Sequence, residues 1–275
     1  MSAGERWSAS FASGTADGMA TYDEVFVPRL FTPWAEVLLD RVGVREGDAV
    51  LDVATGPGTV ARLAAARVGE TGRVTGVDLS PAMLAIARAK GGGVEYVASP
   101  ADALAVDDGA YDVVTCQQGL QFFPDKPAAL REMRRASREG ARLGVAVWRA
   151  IEESPFFAAL RDAVGRALGA DAAALYAGGP WGMTGEDALA ELVSAAGFGD
   201  VTVTAERLPV TFEGGPSQVL ATLAAASVAP MVRALDADGR RALEEAAAEA
   251  LAPLTDGEGA VRSEATSNVL VAVAR

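Results

Sequence analysis

Residues 50–61, VLDVATGPGTVA, run apolar, break at Gly56 and Gly58, and restart with a helical pattern. The spacing Gly56-x-Gly58-x-x-Ala61 is one at which backbone and ligand approach closely. Glycine admits the left-handed conformation of a tight turn, and the helix that follows offers unpaired N–H groups. Twenty residues beyond Gly58, Asp78 ends a second apolar run, where a carboxylate accepts both hydroxyl protons of an adenosine ribose. These features serve NAD and S-adenosylmethionine equally. Asp52, inside the first run, separates them. A carboxylate near the turn opposes a pyrophosphate and suits a ligand with an ammonium group. S-adenosylmethionine carries that amine, a positive sulfonium and no phosphate.

Composition narrows the remaining chemistry. The 275-residue chain contains no histidine and one cysteine, Cys116. That excludes imidazole metal sites, Ser-His-Asp triads, histidine bases and an intramolecular disulfide. A formal charge of -13 repels phosphate backbones and anionic membranes, so the expected partner is a small molecule and not nucleic acid or a bilayer. The start, MSAGERWSAS, has no apolar signal core, and no spanning apolar stretch follows. The expectation is a soluble cytoplasmic protein, monomeric or homodimeric. Cys116 ends an apolar run with no proline before it and reads as a packed thiol. Asp107, Asp108 and Asp112 match no metal-site spacing, and no metal is expected.

The elements that must hold these residues alternate. AVLDVA (49–54), RVTGVD (73–78), VEYVA (94–98), DVVTC (112–116) and RLGVAVW (142–148) read as strands, mostly continuous apolar runs of the kind buried on both faces. Between them lie helix signals. Ser80-Pro81 starts one helix that stops at Gly91, and KPAALREMRRASREG starts another that is expected to end at Gly140. This alternation predicts a doubly wound, mostly parallel α/β sheet. Before it, Trp34, Val37, Leu38 and Val42 fall at helical spacing, as a lid or a packing layer. After residue 148, ESPFFAALRDAVGRAL is an amphipathic helix. Thr184 with Asp187 then marks a capping-box-like start, VTVTAERLPVTF reads as a strand that Pro209 confines to an edge, two alanine-rich helices span about 216–228 and 238–251, and SNVLVAVAR is a last strand. The whole is expected to be one domain, 1–275. Its parts are an N-terminal helical segment (1–45), a cofactor-binding core (48–148), and an inserted helical lid with the last strands (149–275).

The pattern Asp52-x-Ala54-x-Gly56-x-Gly58 resembles the first motif of the class I S-adenosylmethionine-dependent methyltransferases. VTGVDLSPAML (74–84), ASPADAL (98–104), YDVVTCQQGLQFFPD (111–125) and ALREMRRASREGARLGV (129–145) resemble the motifs that follow it, in order. The similarity is greatest to the ubiquinone/menaquinone-biosynthesis-type branch and covers residues 48–148 well. One departure is Arg138-Glu139-Gly140-Ala141, where relatives carry Lys-Pro-Gly-Gly. The resemblance implies a seven-stranded Rossmann-like sheet and a division of labour. Ala54, Thr55, Gly56 and Gly58 bring the methionine moiety to the backbone, and Asp52 fixes its ammonium directly or through water. Asp78 takes the ribose, Leu79 and Met83 flank the adenine, and Ala101, Asp102 and Ala103 lie at its edge. Gln117, Gln118 and Phe122 lie beside the methionine portion and the methyl group, and S-adenosylhomocysteine is the product.

The resemblance also bears on the substrate. Gln117-Gln118-Gly119-Leu120 stands where amino- and nucleobase-directed relatives often carry Asn/Asp-Pro-Pro-aromatic. Tyr22, Phe26, Trp34, Trp148 and Trp181 are candidates for an apolar pocket over the methyl group. Glu152, Glu153, Asp23 and Tyr22 are the weak candidates for a base. The expected activity is methylation of a small apolar molecule at O, C or N, in secondary metabolism or quinone-like biosynthesis. Three rival readings differ in kind: a methyltransferase-like protein that catalyses cyclisation or rearrangement, an NAD-dependent oxidoreductase, and a non-catalytic cofactor-binding protein. The oxidoreductase lacks both a Tyr-x-x-x-Lys pair and any histidine.

Overall fold

The computed structural model describes residues 22–181, 183 and 185–275. The start expected at Thr184 and the first 21 residues of the N-terminal segment lie outside them. The described residues form two compact units: 32–147, 183, 185–206 and 267–275 make one, and 22–31, 148–181 and 207–266 make the other.

Seven strands form one mixed, mostly parallel sheet in the order β3-β2-β1-β4-β5-β7-β6. They are β1 Ala49–Val53, β2 Arg73–Asp78, β3 Glu95–Ala98, β4 Tyr111–Gln117, β5 Ser137–Trp148, β6 Phe198–Phe212 and β7 Val261–Ala274. Strands β1 to β5 pair in parallel. The strand order reverses between β1 and β4, and ligands in such sheets bind outside the carboxyl ends at that switch point. The apolar runs are central because both faces are covered: all five residues of β1 are buried. Strand β6, with Pro209, lies at the sheet edge, where a missing N–H costs no ladder bond.

In the first unit, α1 (Thr32–Val42) buries Trp34, Ala35, Leu38, Leu39 and Val42 as a core-facing stripe. Helices α2 (Thr59–Val68), α3 (Pro81–Ala89) and α4 (Lys126–Ala136) follow β1, β2 and β4. Ser80 caps α3 through the Met83 N–H (3.4 Å), and Asp125 caps α4 through the Ala128 N–H (2.8 Å). Helix α5 (Pro155–Leu168) follows β5, then α6 (Ala170–Ala177) and α7 (Glu186–Ala195), with α8 (Gly215–Ala221), α9 (Ala229–Arg233) and α10 (Ala237–Leu251) between β6 and β7.

Four expectations need correction. Helix α4 stops at Ala136 and not at Gly140, because the Ser137 hydroxyl bonds back to the Met133 carbonyl (2.8 Å) and the chain turns extended there. Gly140 instead takes φ +75° within β5, next to the register shift against β4. The stretch 216–228 is not one helix. Thr222 bonds back to the Val219 carbonyl (2.5 Å), and the chain passes through a 3₁₀ turn into α9. Strand β7 begins six residues before Ser267, and α6 was not anticipated.

Candidate functional site

The turn after β1 sits on two carboxylates. Asp52 is 1% exposed, opposite Gly76 on β2 and Thr115 on β4 in the strand register. Its Oδ2 accepts from the Thr55 hydroxyl (2.6 Å) and its Oδ1 from the Thr115 hydroxyl (2.8 Å). Burial raises its pKa from the ordinary carboxylate range to about 7, against the lowering effect of those hydroxyls, and the Asp78 charge adds to the rise. Asp78, at the end of β2, accepts from the Gly56 N–H on Oδ2 and the Ser80 N–H on Oδ1, both at 2.8 Å. Burial raises its pKa as well, and those backbone donors oppose the rise. One carboxylate thus holds the turn from beneath and the other ties it to the start of α3.

Backbone conformation makes the concavity. Ala54 (φ +58°), Gly56 (φ +54°) and Gly58 (φ +77°) are all left-handed. A Cβ on Gly56 would meet nothing within 4 Å, so the face it would occupy is open to a ligand. A Cβ on Gly58 would lie 2.3 Å from the Tyr96 hydroxyl and 3.2 Å from Ala87. Gly58→Ala is therefore expected to cost about 2 kcal/mol or more, from the left-handed backbone plus the clash. Thermal melts check this. Adding Tyr96→Phe should recover only the clash, and a Gly58→Ala protein that melts with wild type would refute the turn geometry.

The residues expected on the adenine side lie beyond β2 and β3. Leu79 is 64% exposed, a large apolar side chain standing open just beyond β2. Asp102 and Ala103 are exposed and Ala101 half-buried on the loop after β3. Ser99 organises that loop: it accepts from the Ala105 N–H and donates to the Ala103 carbonyl, both at 2.9 Å, while its own N–H reaches the Asp78 carbonyl (3.1 Å). Met83 is buried at 6% exposure within α3. At the end of β4, Gln117 and Phe122 are half-buried, and Gln118 is buried with φ +54°. Gly119 packs so tightly that a Cβ would come within 2.7 Å of Ala54 Cβ.

The other candidates are distributed differently. Trp34 is 1% exposed and packed into the core on α1. Tyr22 and Phe26 share a ring cluster with Phe31 in the π-helical segment Tyr22–Phe31. Trp148 and Trp181 meet each other (6.1 Å between centroids) and Phe157 (5.9 and 4.6 Å). Glu152 is paired with Arg161 (2.6 Å) and Glu153 with Arg149 (2.8 Å), so each faces a fixed cation. Asp108 pairs with Arg135 and Asp112 with Arg138. Cys116 is fully buried, and its thiol pKa is pushed up to about 12, first by desolvation and then by the Asp52 charge.

Sequence reasoning missed Thr115, Ser99, Gln121 and Ser267. The available signal was a polar residue in an apolar run, as Thr115 is within VVTC, but its partner 63 positions away is set only by strand register.

Two desolvated carboxylates at one open glycine turn disfavour a phosphate and favour a ligand bearing an ammonium and a sulfonium. The residues present fit S-adenosylmethionine, which brings both positive groups and no phosphate to Asp52 and Asp78.

Comparison with known proteins agrees. Residues 16–161 match the model of the ubiE/COQ5 methyltransferase family. A ubiquinone/menaquinone biosynthesis C-methyltransferase UbiE from Enterobacter sp. (strain 638) is 40% identical over 116 residues, covering 40% of this chain and 46% of that protein. The chain thus spans about half the length of the curated relatives it matches. Among solved structures, the YcgJ protein of Bacillus subtilis superposes with a TM-score of 0.57 at 17% identity, covering 88% of this chain and 97% of that one. The Haemonchus contortus phosphoethanolamine N-methyltransferase 2 in complex with S-adenosyl-L-methionine gives 0.62 at 17% identity, covering 98% and 60%. These two likenesses establish the Rossmann-like fold. With the family model matched across more than half of its length, and a turn suited to S-adenosylmethionine, the chain belongs to the ubiE/COQ5 methyltransferase family.

Proposed function

We propose that the chain transfers the methyl group of S-adenosylmethionine to a small, largely apolar molecule, with a hydroquinone-like ring as the favoured acceptor class. The observation that carries the methyl-transfer reading is the pair Asp52 and Asp78 at one open glycine turn, 1% exposed in the case of Asp52. The acceptor class rests on the likeness to relatives named for ubiquinone and menaquinone biosynthesis. Bound S-adenosylmethionine supplies a methyl carbon already activated by its sulfonium, so positioning and exclusion of water dominate what the protein contributes.

In this reading Asp52 holds a negative charge under the turn, Asp78 accepts the ribose hydroxyls, and Gln117 and Gln118 border the reacting end. Glu152 and Glu153 are engaged by Arg161 and Arg149, so the acceptor's own acidity supplies the ionised nucleophile.

Incubation with S-adenosylmethionine and a panel of hydroquinones, phenols and amines, followed by chromatography for S-adenosylhomocysteine and methylated product, tests the proposal. Turnover on ring compounds and none on nucleic acid is expected. Tight binding of NAD with no binding of S-adenosylhomocysteine would sink it.

A further inference from the structure

A short polar chain lies at the carboxyl end of β4. Gln118 Nε2 donates to the Ser267 hydroxyl (2.8 Å), and Gln121 Nε2 donates to Gln118 Oε1 (3.3 Å). All three side chains are buried, Gln121 at 4% exposure and Ser267 at 0%. The chain ends on Gln121 Oε1, a buried acceptor with no hydrogen-bond partner. Leaving such a group unpaired is costly, because it gives up its hydrogen bonds to water with nothing in return. Gln118 adds to that cost with a left-handed backbone (φ +54°), unusual for a residue other than glycine. Core packing alone would favour an apolar side chain at both positions. Strain and an orphaned acceptor within four residues, at the switch point of the sheet, mark a group held ready for a donor.

We propose that Gln121 is a substrate-binding residue whose amide oxygen accepts a hydrogen bond from a hydroxyl of the methyl acceptor, with Gln118 and Ser267 as the positioning residues that fix its orientation. This rests on the methyl-transfer reading and specifies it: the acceptor molecule carries an O–H donor, and a fully O-alkylated analogue loses the contact. The relay orients the amide, since the Nε2 end is committed to Gln118 and only Oε1 is left to the ligand.

The test uses the full chain saturated with S-adenosylhomocysteine, and two probes, 1,4-dihydroxynaphthalene and 1,4-dimethoxynaphthalene, followed by quenching of tryptophan fluorescence. Wild type should bind the diol, and Gln121→Leu should bind it about five- to tenfold more weakly while its affinity for the diether stays put. Gln121→Glu, which keeps an acceptor, should retain the preference for the diol, and Ser267→Ala should lose part of it. Equal diol-to-diether ratios in wild type and Gln121→Leu overturn the proposal, as does a wild type that binds neither probe. Methyl transfer is scored separately. A Gln121-dependent preference without turnover leaves the acceptor contact standing and removes the methyl-transfer reading; turnover with an unchanged KM for the diol in Gln121→Leu does the reverse.

Discussion

Asp52→Asn should make the protein more stable at neutral pH and a worse binder of S-adenosylhomocysteine, the binding effect vanishing toward pH 5 and the stability effect only toward pH 4. The free protein holds the Asp52 carboxyl at about 7, against 3.8 for an unperturbed aspartate. A carboxyl raised in the folded state adds stability below its unfolded value and loses it as pH rises through the folded one. Melting temperature of the unliganded wild type should therefore fall between about pH 4 and pH 7 and level off above, and the Asn variant should lack this component of the fall. Binding runs the other way. The ligand's ammonium favours the ionised carboxylate, whose population near pH 5.5 is only a few per cent and near pH 7.5 is most of the protein. Affinity should rise on the order of tenfold across that interval in wild type and stay flat in the variant. Calorimetry near pH 6 in buffers of different ionisation enthalpy should register close to one proton released per ligand bound. A wild-type affinity independent of pH, with no proton released, would remove Asp52 from recognition of the charge and leave it a brace for Thr55 and Thr115.

The route to that residue shows what a sequence discloses. Strand β2 occupies the six residues its apolar pattern marks, and Asp52 and Asp78 stand out because each is a charge at the end of, or within, a run that is otherwise buried. Local grammar also gave the caps at Ser80 and the proline starts of α3, α4 and α5. What stayed hidden depends on pairing across the chain. Thr115 matters because β4 lies beside β1 in one register, and Ser267 matters because it reaches Gln118 across 149 positions. The end of α4 was hidden for another reason. Ser137 competes for the Met133 carbonyl and releases the chain into β5, although Gly140 offers the stronger stop signal on paper. Helix α6 lacked any amphipathic period, as its sequence ADAAALYA buries only Ala172 and Tyr176. The aromatics offered as pocket candidates were legible as a composition but not as a set: Trp34 went to the core, whereas Trp148 and Trp181 came together.

Replacement of Asp78 should produce the largest loss of cofactor affinity of any single change, and the amide should fare nearly as badly as alanine. Both carboxylate oxygens are already occupied by backbone donors, from Gly56 and Ser80, each at 2.8 Å. An asparagine has one acceptor oxygen, so its NH₂ must face one of those two N–H groups. Two donors then confront each other in a mostly desolvated place, and the turn or the start of α3 has to move. Hydrogen bonds to a charged acceptor contribute about 1.5–3 kcal/mol each, so losing a pair of ribose contacts corresponds to a weakening on the order of 100-fold or more. Calorimetry with S-adenosylhomocysteine and with its 2′-deoxy analogue separates the two roles. Wild type should strongly prefer the ribose form; Asp78→Ala should bind both weakly and nearly equally, because the acceptor that told them apart is gone. Asp78→Asn should in addition melt lower than wild type, since it disturbs the Gly56 and Ser80 contacts even without ligand. An Asn variant that kept wild-type affinity and the preference for the 2′-hydroxyl would mean the ribose is held elsewhere, and that Asp78 serves only to rivet the turn to α3.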